Sequence, residues 1–248
     1  MPLYIGTSGW AYPEWRASKD NPEKPAFYPA DLPQARFLEH YARHLSACEI
    51  NATFYRVQPD TAVSRWAAAT PPHFRFAAKG HRALTHSAVV SPRGPLRALL
   101  DDYLSSLQAL GPRLGVVLLQ FPRHKSARDP DVVELLRAVG KRARFAAEFV
   151  NTTGDADALD ACAAAGGALC LSEQEGGDAP VLAPGPVAYV RLRAKHYSEE
   201  ARRSWCVRLR DESRNRDVFV FTRHKDLKPD DAHGGIGLAR WLEIAARG

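Results

Sequence analysis

The chain reads as a (β/α)8 barrel of the TIM type, a single α/β domain over residues 1–248, on three observations. Eight short apolar segments recur along it, several of them ending on a polar or charged residue. Most of the stretches between them carry helical spacing, and strands alternating with helices imply right-handed crossovers and a parallel sheet covered on both faces. The length, 248 residues, is close to the usual size of such a barrel and need not be divided. Catalytic groups in that fold sit at the carboxyl ends of the strands, so the polar residues that close the segments become an ordered set of candidates.

In chain order the segments are Leu3–Thr7, Cys48–Asn51, Phe74–Lys79, Val116–Gln120, Phe145–Glu148, Ala168–Ser172, Val187–Arg191 and Val218–Thr222. A long loop from Trp10 to Pro33, rich in Pro, aromatics and charge, exceeds a minimal βα connection and is expected on the functional face. A helix from about Pro33 to Leu45 follows, with Phe37, Leu38, Tyr41, Ala42 and Leu45 at helical spacing. His40 and His44 lie four apart on it, as a metal pair would, but no third ligand is evident nearby and a solvated helix face is the favoured reading. Asp60 and Thr61 resemble a cap for a helix through Trp66, stopped by Pro71-Pro72. Pro92 to Leu110 predicts the longest helix, Pro130 to Val139 the next, and Asp155 to Ala165 an alanine-rich one ending at Gly166-Gly167. Gly, Pro and Asp dominate between Glu173 and Pro186, so the sixth crossover is expected to be short, irregular or without its helix. Ser198 to Arg210 and Ile236 to Ala246 supply the last two helices.

Composition fits a soluble globular chain, with 45% hydrophobic and 25% charged residues. No stretch reaches the roughly 18 uninterrupted apolar residues of a membrane span. The first residues read as a strand rather than a signal peptide, which predicts a cytoplasmic protein without a membrane partner. Cys48, Cys162, Cys170 and Cys206 include no C-x-x-C pair and are expected to be reduced and structural. A net charge of +6 leaves room for an anionic partner, although the arginines of helix faces account for much of it.

Strand alternation places Glu49 and Asn51 on one face of the second strand, directed into the barrel mouth, and Tyr189 and Arg191 likewise on the seventh. Lys79, Gln120 and Glu148 close the third, fourth and fifth. Two carboxylates and two cations, Glu49, Glu148, Lys79 and Arg191, thus share one rim, where burial is costly unless they pair or bind a ligand. An acid–base site is one reading, with Glu148 the first choice for proton transfer and Glu49 and Lys79 beside it; a self-neutralising network that only closes the barrel is the other. Lys79 at a strand end also has the placement of an imine-forming lysine. Trp10, Tyr12, Trp15, Phe54, Tyr55 and Tyr197 crowd the same face, and such rings suit sugars or nucleobases or simple loop packing.

The carboxyl-terminal edge, where His224 leaves the eighth strand and Gly234-Gly235 opens the last helix, with Arg193, Lys195 and His196 alongside, has the composition of an anion nest. It is not a G-x-G-x-x-G sequence, so no dinucleotide cofactor is expected. No metal site is assigned: H-E-x-x-H is absent, and His81 and His86 would need Glu49, Glu148 or Glu173 from across the mouth as co-ligands. Ser8 ends the first strand, but no ordered His–Asp pair serves it as a nucleophile.

These residues resemble the YecE-like family, domain of unknown function 72. The resemblance rests on Ile5-Gly6-Thr7-Ser8-Gly9-Trp10-x-Tyr12, Glu49-Ile50-Asn51-x-Thr53-Phe54-Tyr55-Arg56, Trp66 with Thr70-Pro71, Phe76-x-x-Lys79, Thr85-His86, Leu119-Gln120-Phe121-Pro122, Glu148-Phe149 and Tyr189-x-Arg191-Leu192. It spans nearly the whole chain and implies a TIM-type barrel without an established reaction. The chain departs from the family pattern at Val150, Asn151, Thr152 and Thr153, where the family has Arg-His and then Ser-Trp, and at Arg193-Ala194, where it has His-Gly.

The expected function is a barrel enzyme acting on a small anionic, sugar-like or nucleotide-like substrate by hydrolysis, isomerisation or elimination. In that reading Glu148, Glu49 and Lys79 are catalytic, Trp10, Asn51, Tyr55, Arg56, Gln120, Arg191, Arg193 and Tyr197 bind substrate, and Lys195, His224, Gly234 and Gly235 bind its anion. A nucleic-acid-binding or repair-type barrel, motivated by the basic, aromatic mouth, is the alternative from a different class. A metabolite-binding protein without catalysis is a third.

Overall fold

Eight parallel strands close on themselves in chain order, the last hydrogen-bonded to the first, in a computed structural model that describes residues 2–18, 25–150, 155–223 and 228–247. The strands are β1 (Leu3–Ser8), β2 (Ala47–Ile50), β3 (Arg75–Lys79), β4 (Leu114–Phe121), β5 (Phe145–Phe149), β6 (Ala168–Glu173), β7 (Val187–Leu192) and β8 (Asp217–Thr222). All eight apolar segments are therefore strands of one barrel, with their ends moved by one or two residues. The helices are α1 (Phe37–Tyr41), α2 (Ala52–Tyr55), α3 (Asp60–Ala68), α4 (Arg82–His86), α5 (Gly94–Leu107), α6 (Pro130–Gly140), α7 (Ala156–Ala164), α8 (Glu199–Ser213) and α9 (Gly235–Ala245).

The two-residue period of the strands sorts their side chains into two cores. Ala77, Leu118, Ala146, Cys170, Tyr189 and Phe219 fill the barrel interior, while the alternate residues, such as Ile50, Phe76, Leu119 and Val190, pack outward under the helices. Tyr4 stacks on Phe219, ring centroids 4.9 Å apart, and fills the amino-terminal end of the interior. The other end is polar. Close packing of β1 on β2 admits only glycine at position 6, because a Cβ there would stand 1.8 Å from the Ala47 carbonyl oxygen.

The helix-less sixth crossover is present as expected: β6 leads to β7 through residues 174–186 with no helix. Leu169 and Leu171, on the outward face of β6, are consequently only half-buried. The same region is where the sheet is weakest. β5 and β6 pair over two residues, Ala146 with Ala168 and Ala147 with Leu169, whereas β7 and β8 pair over six. The two strands part toward the carboxyl end, and a cavity of about 570 Å3 opens there, lined by Glu148, Leu169, Cys170 and Ser172 among others.

Three expectations are corrected. The helix read from Pro33 to Leu45 is only the short α1 after a 3-10 turn at Gln34–Arg36. The Trp10–Pro33 loop supplies the missing cover, with Trp15 and Tyr28 buried and Tyr28 stacked on Phe37 at 3.8 Å. Aromatic content there is packing material for the outer core. Asp60 and Thr61 do not cap α3; the Pro59 carbonyl accepts from Ala62 and Val63 N–H instead. The helix expected over Pro92–Leu110 ends as α5 at Leu107 and continues as a 3-10 turn broken by Gly111 at φ +55°. Two short helices after strands, α2 and α4, were not anticipated, because runs of four and five residues carry too little periodicity to register. The four cysteines are free and buried.

Candidate active site at the carboxyl end of the barrel

Side chains from β1, β2, β4, β5 and β7 meet at the polar end of the interior, each delivered there by strand alternation. Glu49 is fully buried. One of its oxygens accepts from Ser8 Oγ at 2.8 Å and from Arg191 Nη2 at 2.9 Å, and the other accepts from the Tyr189 hydroxyl at 2.7 Å. Burial alone would raise its pKa, but the Arg191 and Arg193 guanidiniums and the Tyr189 hydrogen bond outweigh that and hold it below the ordinary glutamate value. Glu49 is therefore a locked anion.

Glu148 is held differently. Its Oε2 accepts from Gln120 Nε2 at 3.0 Å and Arg191 Nη1 at 2.5 Å, and no described protein group donates to Oε1. The residue lines the cavity between β5 and β6, so one carboxylate oxygen is anchored and the other is free for a ligand. Arg191 bridges both carboxylates from a position only 3% exposed. Burial opposes its charge, but Glu49 and Glu148 raise its pKa and keep it a cation. Its Nε is buried without a hydrogen bond among the described residues, and an unsatisfied buried donor costs about 1–3 kcal/mol.

Two more cations complete the rim. Lys79, at the end of β3, has its ammonium 4.4 Å from the centroid of the Phe54 ring and no hydrogen bond or ion pair among the described residues. Burial first, then the Arg191 guanidinium, push Lys79 below the ordinary ammonium value; Glu49 and Glu148 pull the other way without cancelling the effect. Arg193 follows β7, reaches Ser8 Oγ at 3.1 Å, and is likewise depressed by burial and by Arg191. Asn51 stands at the start of α2 near the Tyr12 phenol, whose O–H donates to the Ser8 carbonyl.

Glu49, Lys79, Gln120, Glu148, Arg191 and Arg193 are thus brought together, and several expected neighbours are not. Tyr55 is 69% exposed and meets Phe54 edge-on, and Arg56 is also exposed; the turn of α2 carries both outward. Trp10 packs edge-on against Trp66 at 5.7 Å and against outward-facing Phe76, so it belongs to the outer core. Tyr197 is fully buried and donates to Glu173, whose other oxygen accepts the backbone N–H groups of Glu175 and Gly176 at 2.6 and 2.7 Å. That arrangement ties the helix-less crossover to the loop after β7. It removes Tyr197 from substrate contact and Glu173 from any metal pairing with His81 and His86. Among the described residues no group of three or more His, Cys, Asp and Glu is arranged to hold a metal. Lys195 is exposed, and Gly234 and Gly235 open α9, with Gly235 at φ +54° and its carbonyl accepting from Thr222. His224 lies outside the described residues, as do positions 151–153. Ser8 and Tyr189 are functional neighbours the candidate set lacked, and their signal was strand parity: both fall on the inward face with Glu49 and Arg191.

The comparisons with known proteins agree with this architecture. The chain is 30% identical to the UPF0759 protein YecE of Escherichia coli (strain K12) over 121 residues, which is 48% of this chain and 38% of that protein; the match thus covers well under half of the relative's length. In three dimensions it is similar to a DUF72 family protein from Thermotoga maritima MSB8, with TM-score 0.72 and 20% identity over 99% of each chain. It is also similar to D-psicose 3-epimerase with D-tagatose from Clostridium cellulolyticum H10, with TM-score 0.55 and 15% identity over 98% of this chain and 96% of that one; at these identities both show the barrel fold alone. The family described as "Protein of unknown function DUF72" matches residues 4–246, and the chain belongs to it.

Proposed function

We propose that this barrel is an acid–base enzyme acting on a small anionic, hydroxylated substrate of sugar type, with Glu148 as the proton-transfer group. The observation that carries this reading is the charge count at the mouth. Three cations, Lys79, Arg191 and Arg193, face two carboxylates, Glu49 and Glu148, and Arg191 alone occupies both carboxylates. Lys79 and Arg193, both half-buried, have no acidic partner among the described residues, and a substrate anion would stabilise them. Glu148 lines a cavity of about 570 Å3, whose other charged lining residues are Glu173, Glu175 and Asp178, within the usual range for small-molecule sites. Gln120, Asn51 and Ser172 offer polar groups to hydroxyls, and the barrel of a ketose epimerase is a structural neighbour. Glu49 and Tyr189 position Arg191 rather than touch the substrate.

The anion site is tested with inorganic phosphate. Saturating phosphate is expected to raise the melting temperature, by about 2.7 kcal/mol of added stability at a hundredfold excess over Kd. Arg193→Ala should abolish that rise; an equal rise in the variant, or none in the unaltered protein, overturns the site.

A second reading, nucleic-acid binding, draws on exposed rim cations: Arg56, Arg82, Arg123 and Lys195 follow β2, β3, β4 and β7 and form no ion pair among the described residues. It predicts retarded mobility of single- or double-stranded DNA at low salt, weakening steeply as salt is added. Unchanged mobility at low salt eliminates it. Other exposed arginines do not support it, since Arg36, Arg97, Arg128, Arg203 and Arg247 are each paired with a carboxylate.

A further inference from the structure

We propose that Lys79 is a covalent catalytic residue, its ε-amine forming an imine with the carbonyl carbon of a small anionic aldehyde or ketone whose charged group is held by Arg193. The inference rests on the acid–base reading for the anion site and goes beyond it in naming a carbonyl substrate. Lys79 stands one residue pair above Ala77 on the inward face of β3, at the strand's carboxyl end. Its ammonium has a ring at 4.4 Å, the guanidiniums of Arg191 on β7 and of Arg193 just after it nearby, and no carboxylate or carbonyl bound to it among the described residues.

A lysine with a structural role looks different in this same chain. Lys125, 6% exposed at the side chain, donates to the Ala88 carbonyl at 2.7 Å and to Asp131 at 3.2 Å. Lys79 lacks any such fixture. Burial and repulsion from Arg191 and Arg193 favour the neutral amine, the form that attacks a carbonyl. In the step itself, the nitrogen lone pair adds to the carbonyl carbon and the oxygen takes a proton, giving a carbinolamine. The proton that Lys79 gives up to Glu148 on becoming the neutral amine returns from Glu148 and lets that oxygen leave as water while the C=N bond forms. The iminium then acidifies the neighbouring carbon, and the Glu148 carboxylate is the base at hand to accept its proton.

The test uses the intact protein and glyoxylate, an aldehyde carrying a carboxylate, with sodium cyanoborohydride to reduce any imine to a carboxymethyl-lysine. Peptide mapping by mass spectrometry at limiting glyoxylate is expected to find Lys79 modified ahead of the exposed Lys141 and Lys195. Excess inorganic phosphate should slow that modification, and Lys79→Arg should remove it while leaving the surface lysines labelled as before. Labelling of Lys141 and Lys195 with Lys79 unmodified overturns the proposal. A protein that is stabilised by phosphate through Arg193 yet leaves Lys79 unlabelled would lose the imine and keep the anion site, so the two failures are distinguishable.

Discussion

Replacement of Arg191 by methionine is expected to destabilise the fold by about 3–5 kcal/mol at neutral pH, because it strands two buried carboxylates that now share one guanidinium. Glu49 has no solvent to turn to, and Ser8 and Tyr189 supply hydrogen bonds without charge. The loss should depend on pH in a direction fixed by the pKa shifts. In the native protein the Glu49 pKa is depressed below its unfolded value. Its contribution is therefore present above the unfolded pKa and is lost as pH falls through the folded one. In the variant the counter-charge is gone and burial dominates, so the folded pKa rises above the unfolded one. The penalty then grows as pH rises and fades as the carboxyl takes up a proton. Urea denaturation at about pH 5 and about pH 8 should show the gap between the two proteins narrowing in acid. A gap independent of pH, or a loss below about 1 kcal/mol, would mean that Arg191 is not what keeps Glu49 ionised.

Glu148→Gln is expected to lower turnover by about 10²- to 10⁴-fold with stability nearly unchanged. The amide keeps the volume and an acceptor oxygen for Arg191 Nη1, and Gln120 remains as a neighbour; what it loses is the ability to carry a proton on the free oxygen. The measurement is proton exchange into a panel of sugar phosphates and sugar acids in D2O, followed by NMR, with denaturation curves of both proteins alongside. Exchange by the unaltered protein that persists undiminished in Glu148→Gln would remove Glu148 from the chemistry. Glu49→Gln should behave differently, losing stability as well as activity, because Glu49 carries three hydrogen bonds and the charge that fixes Arg191.

Much of the barrel and part of its mouth were legible before any coordinates. The alternation of β2 and β7 announced that Glu49, Tyr189 and Arg191 share the inward face, and strand ends announced Lys79, Gln120 and Glu148. The run of Gly, Pro and Asp after Glu173 announced a crossover without a helix. The aromatic loops left substrate contact and plain packing open. Trp10, Tyr55 and Tyr197 have the residue type for a substrate wall, yet one packs on Trp66, one faces solvent and one is sealed against Glu173.

The division has a physical cause. Strand identity and side-chain parity are local properties, set by a two-residue period and by where apolar runs stop, so the sequence by itself determined the closed order of eight strands and which residues look into the mouth. Which of those residues meet is a matter of register and depth between segments far apart in the chain: Arg191 reaches Glu49 across 142 positions and Glu148 across 43. Only the tertiary structure decided that one guanidinium would occupy both carboxylates, that β5 and β6 would part to open a cavity at Glu148, and that Lys79 and Arg193 would have no acidic partner among the described residues.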